Sequence, residues 1–150
     1  MASPETYTTS SEEETAALGR TLAQALAPGT FVLLHGDLGA GKTAFVRGLA
    51  AGLGIDPDEV SSPTFVLVQQ YRGPVPLTHV DLYRLDGANA VDDLGLEELA
   101  AGGVLAVEWA ERLPRPVDGS VSVKIEDLGG DRRRITISEK IGSDPLYSLR

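Results

Sequence analysis

The stretch Gly36-Asp37-Leu38-Gly39-Ala40-Gly41-Lys42-Thr43 places a lysine and a hydroxyl directly behind a run of glycines. Its spacing is G-x-x-x-x-G-K-[ST], the pattern of a backbone cradle for phosphate. A phosphate chain held by main-chain N–H groups needs the backbone close and tightly turned. Glycine permits both because it has no Cβ. A helix that starts at the end of the loop aims its N-terminus at the anion. Lys42 is one of only three lysines in the chain, against ten arginines. Its compact ammonium fits inside such a curl of backbone, where the planar fork of arginine does not. Thr43 offers a hydroxyl to Mg²⁺. The cradle is expected to run from Asp37 to Ala44. Two fixed glycines, a lysine and a Ser/Thr coincide by chance at roughly one position in thirty thousand. The motif therefore predicts bound ATP and Mg²⁺.

Magnesium held between phosphates takes a carboxylate from the end of a neighbouring strand. In open α/β sheets the ligand crevice lies at the carboxyl ends of the strands. Glu108 ends the apolar run VLAVE, and Asp81 ends LTHVD, which is less apolar. The pattern favours Glu108 and leaves Asp81 open; either could also be an exposed strand-end acid. Thr64 follows a rigid proline in Ser61-Ser62-Pro63-Thr64. It either presents its hydroxyl to the γ-phosphate side of the metal or merely turns the chain before a strand. Trp109, the only tryptophan, is expected in the core, with a place over a base or a partner as the alternative. The two histidines, His35 and His79, are too few and too scattered for a metal cluster and read as structural.

The elements that must hold these residues follow from periodicity. Residues 10–26 read as a helix, with Leu18, Leu22 and Leu26 on one face. Ser10 with Glu13, or Ser11 with Glu14, has capping-box spacing. FVLLHG (31–36) is a short apolar run suited to a strand buried on both sides. A helix follows the glycine loop as far as Gly54. FVLVQQY (65–71), LTHVDLYRL (77–85) and VLAVEW (104–109) read as strands, residues 86–95 as a polar loop and LEELA (96–100) as a short helix. VSVKIEDLGGDRRRITIS reads as a hairpin turning at Gly129-Gly130. Residues 1–9 are expected to be a loose end or a short first strand, and residues 139–150 a loose tail. Interleaved strands and helices argue an α/β fold with an antiparallel C-terminal hairpin.

At 150 residues the chain is one domain's worth. It has no cysteine, so disulfides and thiolate metal sites are excluded. No apolar run is long enough to span a membrane, the N-terminus lacks the pattern of a secretion signal, and a cytoplasmic location is expected. The net charge of −9 argues against a free-standing nucleic-acid binder. Arg132-Arg133-Arg134 is the one dense basic run, read as strand-edge charge on the hairpin or as a docking patch for an acidic partner.

Taken together, GDLGAGKT, SPTF with a tyrosine six residues on, HVDLYRL, LGLEEL and VEWAERL make the chain resemble the bacterial TsaE (YjeE) family. These are small P-loop ATPases of the tRNA threonylcarbamoyladenosine pathway. The resemblance runs from about Ser11 to Arg134. It implies a single P-loop domain, a three-layer α/β/α sandwich with a mixed, mostly parallel sheet. Lys42 would steady the β- and γ-phosphates. Thr43 and Asp81 would hold Mg²⁺, directly or through water, and Thr64 would sit in a switch-like loop near the γ-phosphate. Glu108 would be catalytic or metal-linked, Trp109 part of the functional surface, and Thr15 near the base. The implied partners are TsaB- and TsaD-like proteins, which the ATPase resets between rounds and which would hold the tRNA. Residues 72–76 are short and proline-rich, and the tail beyond Arg134 is not diagnostic.

The expected activity is ATP hydrolysis, with water oriented by Glu108 or Thr64. No arginine finger in cis is evident, Arg84 being a guess, so the isolated chain is expected to turn over slowly. A small-metabolite kinase is a rival, although no arginine-rich lid insertion is visible. A second rival is a binding module that uses ATP without turnover.

Overall fold

A computed structural model describes residues 4–36, 41–60, 68–83, 85 and 87–139. The elements run β1 (Glu5–Thr9), α1 (Glu12–Ala23), β2 (Thr30–His35), α2 (Lys42–Gly52), β3 (Val68–Tyr71), β4 (Leu77–Asp81), α3 (Gly87–Asp92), α4 (Leu96–Ala100), β5 (Val104–Glu108), β6 (Val121–Gly129) and β7 (Arg132–Glu139). The strands form one seven-stranded sheet in the order β1-β7-β6-β2-β5-β4-β3.

The four central strands, β6, β2, β5 and β4, run parallel, so their carboxyl ends share one edge. The outer pairings, β1 with β7, β7 with β6 and β3 with β4, are antiparallel. The sheet is thus evenly mixed rather than mostly parallel. The difference lies at the margins, where hairpins and the N-terminal strand add antiparallel partners. Glu5–Thr9 is one of these: it pairs with β7 from Glu5 opposite Ile137 to Thr9 opposite Arg133, and is not a loose end. Glu139 belongs to β7, and residues 140–150 lie outside the described residues.

β5 is buried at every position, as its unbroken apolar run requires of a strand covered on both faces. One face, with Val32, Leu34, Leu77, Val104, Ala106 and Val123, packs under α1 and α2. The other, with Phe31, Val80, Leu105 and Val107, packs against Val91 of α3 and Leu96 and Ala100 of α4. Helix α3 falls within residues expected to be a polar loop.

Helix α1 starts where the capping pattern places it. Ser11 Oγ accepts from Glu14 N at 3.1 Å, while Glu14 Oε1 accepts from Ser10 N at 2.7 Å. The reciprocal bond thus reaches one residue further back than an ideal capping box. Helices α1 and α2 touch backbone to backbone. A Cβ on Gly48 would lie 1.8 Å from Ala16 O, and one on Gly19 would lie 2.4 Å from Phe45 O. Glycine is unfavourable inside a helix, but only glycine allows this approach. The contact fixes the seat of α2 and, through it, of Lys42.

β4 ends earlier than its apolar pattern suggests. Asp81 Oδ1 accepts from Tyr83 N at 2.9 Å, and this local turn diverts the chain out of the strand.

Candidate functional site

Two sequence-derived acids, Glu108 and Asp81, end neighbouring strands at the carboxyl edge of the parallel sheet. Leu34 near the end of β2 pairs with Glu108 at the end of β5, and Glu108 pairs with Asp81 at the end of β4. Register partners on neighbouring strands project to the same face. Glu108 and Asp81 therefore point to the side covered by α2. Leu82 N donates to Glu108 O at 3.1 Å and ties the two strand ends together.

Lys42 is the first residue of α2. Its Nζ donates to Gly36 O at 2.9 Å. It also lies 3.5 Å from Glu108 Oε1. The other carboxylate oxygen, Oε2, is 2.6 Å from His79 Nε2. His79 is wholly buried and Glu108 nearly so. Burial alone would push the Glu108 carboxyl up, but the His79 hydrogen bond together with Lys42 outweighs it and holds the group below its ordinary value. Oε2 is thus held by His79, and Oε1 faces Lys42.

Among the described residues, the start of α2 has no side-chain cap. The residue at its N-cap is Gly41, at φ 105° in the left-handed region, with no acid in the first turn. Helix α1 has a serine cap and three glutamates in the same places. The first N–H groups of a helix need partners and favour negative charge. An uncapped helix start with a lysine at its head suits an anion.

A cleft of about 700 Å³ opens beside it, lined among others by Leu34, Gly36, Lys42, Trp109, Lys124 and Asp127. A much smaller recess, about 50 Å³, lies between Glu12, Thr15, Gly41, Ala44, Asp131 and Arg133. Thr15 and Ala44 thus line a recess separate from the cleft that Trp109 lines. Thr15 is buried, and its hydroxyl is 2.8 Å from that of Thr9. Thr43 sits in the first turn of α2. Asp37, Leu38, Gly39 and Ala40, Thr64 with its Ser-Ser-Pro lead, and Arg84 lie outside the described residues.

Trp109 is not in the core; it is 39% exposed. Its backbone is left-handed, at φ 59°, the one such non-glycine residue described. That conformation turns the chain out of β5 into the short turn Ala110–Arg112 and pushes the indole outward. Its ring centroid lies 4.8 Å from that of Tyr83. The Arg112 guanidinium sits 5.8 Å from both rings and donates to Leu85 O.

Three residues here make contacts that the sequence does not signal. His79 is buried, as expected of a structural histidine, and bonds Glu108; its position two before Asp81 puts both on one strand face. Arg133, in the run expected to be strand-edge charge or a docking patch, lies on β7 between β1 and β6. Its guanidinium stem lies within 3.5–3.9 Å of where a Gly41 Cβ would stand, and it pairs with Asp127 at 3.1 Å. The register Asp127 opposite Arg133 carries that signal, but only once the hairpin is aligned. Tyr83 is exposed beside Trp109, and no periodicity marks it.

An α/β protein with its polar site at the carboxyl ends of parallel strands, behind a glycine–lysine turn into a helix, is what these features define. Comparison with known proteins narrows the class. Residues 9–135 match the family model of the threonylcarbamoyl adenosine biosynthesis protein TsaE. The chain is 40% identical over 130 residues to the tRNA threonylcarbamoyladenosine biosynthesis protein TsaE of Treponema pallidum, covering 85% of this chain and 96% of that one. It is 42% identical over 138 residues to the Bacillus subtilis protein of the same name, covering 88% and 84%. The crystal structure of Bacillus subtilis YdiB superposes with a TM-score of 0.70 at 33% identity, covering 99% of this chain and 92% of that one. The chain belongs to the TsaE family.

Proposed function

We propose that this protein binds and hydrolyses ATP with Mg²⁺, and that it does so in the biosynthesis of threonylcarbamoyladenosine in tRNA. The names of its relatives support the pathway. The observation that carries the chemistry is Lys42, poised between Gly36 O and Glu108 Oε1 at the start of α2. The fold is then a P-loop fold, a three-layer α/β/α sandwich with the phosphates seated at residues 36–43. Backbone N–H groups at the head of α2 and the Lys42 ammonium take the phosphate oxygens. In this reading Arg133 and Thr15, which line the small recess with Gly41, would meet the base, and Trp109, which lines the main cleft with Lys42, would border the γ-phosphate side.

The residues present fit a magnesium ion, which favours hard oxygen ligands. Thr43, Asp81 and Glu108 offer them. Among the described residues no three His, Cys, Asp or Glu side chains cluster as a ready metal site. Phosphate oxygens and water would therefore complete the shell, as is usual for this ion. When bound, Mg²⁺ offsets the charge that develops on the phosphates.

Glu108 is held by His79 on one oxygen and faces Lys42 with the other. Its part is to orient water and metal, with Thr64 as a further candidate for the water. Water oxygen bonds to the γ-phosphorus as the bond to the bridging oxygen breaks, leaving ADP and phosphate. The charge-stabilising set is incomplete without an arginine finger, whose loss costs factors of about 10³ or more. Turnover is therefore slow until TsaB- and TsaD-like partners complete the site. The tRNA is held by those partners, in keeping with the net charge of −9. No described helix is long and apolar enough to cross a membrane.

Phosphate release from magnesium ATP, with and without the partner proteins, tests this reading. Stimulation by partners supports it. Absence of phosphate release in every condition favours a nucleotide-dependent binding module, and transfer to a metabolite favours a kinase.

A further inference from the structure

His79 occupies a position where chemistry alone favours a hydrocarbon. It is fully buried in β4, opposite Ala106 of β5. Leu77, one step back on the same strand face, and Val104 and Ala106 across from them all belong to the apolar core. Burying a polar ring there is unfavourable unless its nitrogens are paired. Only one is. Nε2 meets Glu108 Oε2 at 2.6 Å, while Nδ1 is buried with no hydrogen-bond partner among the described residues. An unmet buried polar atom is a cost that leucine would not carry. The single return on that cost is the grip on Glu108.

We infer that His79 is a positioning residue: it holds Glu108 Oε2 from the core side, so that Oε1 faces Lys42 and the cleft. Nε2 donates its N–H to the carboxylate oxygen, which can only accept. With Oε2 fixed, the carboxylate plane cannot turn, and Oε1 stays 3.5 Å from Lys42 Nζ. Without His79 the carboxylate still has Lys42 beside it but is free to rotate away from the nucleotide. Lys42 keeps its own bond to Gly36 O in either case. Loss of His79 should therefore affect turnover and leave nucleotide binding nearly unchanged.

This inference rests on the reading of Glu108 as a group that orients water and metal at the terminal phosphate. Two variants of the full chain test it, assayed with the partner proteins. His79→Leu fills the site without a donor, and His79→Gln supplies one N–H at similar reach. Leucine should lower kcat about 10- to 100-fold, the range for partners that orient a functional ligand, with KM for ATP little changed. Glutamine should recover most of the loss, which a purely space-filling role would not produce. A leucine variant with wild-type kcat, or a glutamine variant no better than leucine, would overturn the inference. A second readout needs no nucleotide. The His79 ring N–H should give a far-downfield, slowly exchanging proton resonance that moves upfield in Glu108→Gln. An unmoved signal would overturn the inference alone, whereas a wild-type protein without turnover in any condition would overturn the functional reading as well.

Discussion

Glu108 and Lys42 face each other across the head of α2, Oε1 to Nζ at 3.5 Å. One comes from the end of a central strand and the other from the first residue of the helix behind it. The pair is largely shielded, with only 11% and 10% of the lysine and glutamate side chains exposed. A bound phosphate would compete with Glu108 for the ammonium. Glu108→Gln should therefore tighten nucleotide binding or leave it unchanged while lowering turnover. Equilibrium binding beside steady-state kinetics checks this, and parallel loss of both would place Glu108 in binding instead.

The contact that seats α2 is a second point of attack. Gly48→Ala places a methyl 1.8 Å from Ala16 O, which is main chain and cannot swing aside. Helices α1 and α2 must separate. Overpacking of this kind typically costs about 1–3 kcal/mol, or a fall of roughly 2–4 °C in Tm per kcal/mol for a chain this size. Helix propensity alone predicts the opposite, since alanine is the better helix former. Thermal unfolding of the variant decides between them.

Trp109 allows a reversal of the usual order between alanine and glycine. At φ 59° an L-residue carries strain, on the order of 1–2 kcal/mol, and glycine carries none. Both substitutions remove the stack on Tyr83 equally. Trp109→Gly should therefore be at least as stable as Trp109→Ala, read by denaturant midpoint. A clearly more stable alanine variant would mean that the backbone there is not left-handed in solution.

The N-cap of α1 offers a calibrated control away from the site. Ser11→Ala removes the acceptor for Glu14 N and should cost about 1 kcal/mol. Nucleotide affinity should change little, because the Ser11 side chain bonds Glu14 N and lines neither the cleft nor the recess beside Gly41. Urea unfolding and a binding isotherm check the two halves of that statement.

Much of this arrangement is legible in the residues themselves. The apolar runs of β2 and β5 declare central strands, and Gly36 to Thr43 announces a turn into a helix, because each is a local signal with a local cause. Glu108 is legible for the same reason: it ends a clean strand. Asp81 was harder, since His79 breaks the apolar pattern of β4 for the sake of a partner 29 residues away. Trp109 misled because a large aromatic suggests a core, and nothing local signals a left-handed backbone. Arg133 reaches Gly41 only after β6 and β7 have paired across the turn at Gly129. The half-antiparallel sheet depends on β1 finding β7 across almost the whole chain. Long-range pairings of this kind leave no mark in a short window of sequence.

Calorimetric titration of magnesium ATP into the wild-type chain and into Lys42→Ala tests the central claim most directly. Wild type should bind saturably, and removal of the ammonium should weaken binding by roughly 10- to 100-fold, the equivalent of about 1.5–3 kcal/mol for a charge-assisted contact. Equal affinities in the two proteins, or no binding by wild type, would contradict a phosphate seat at the head of α2.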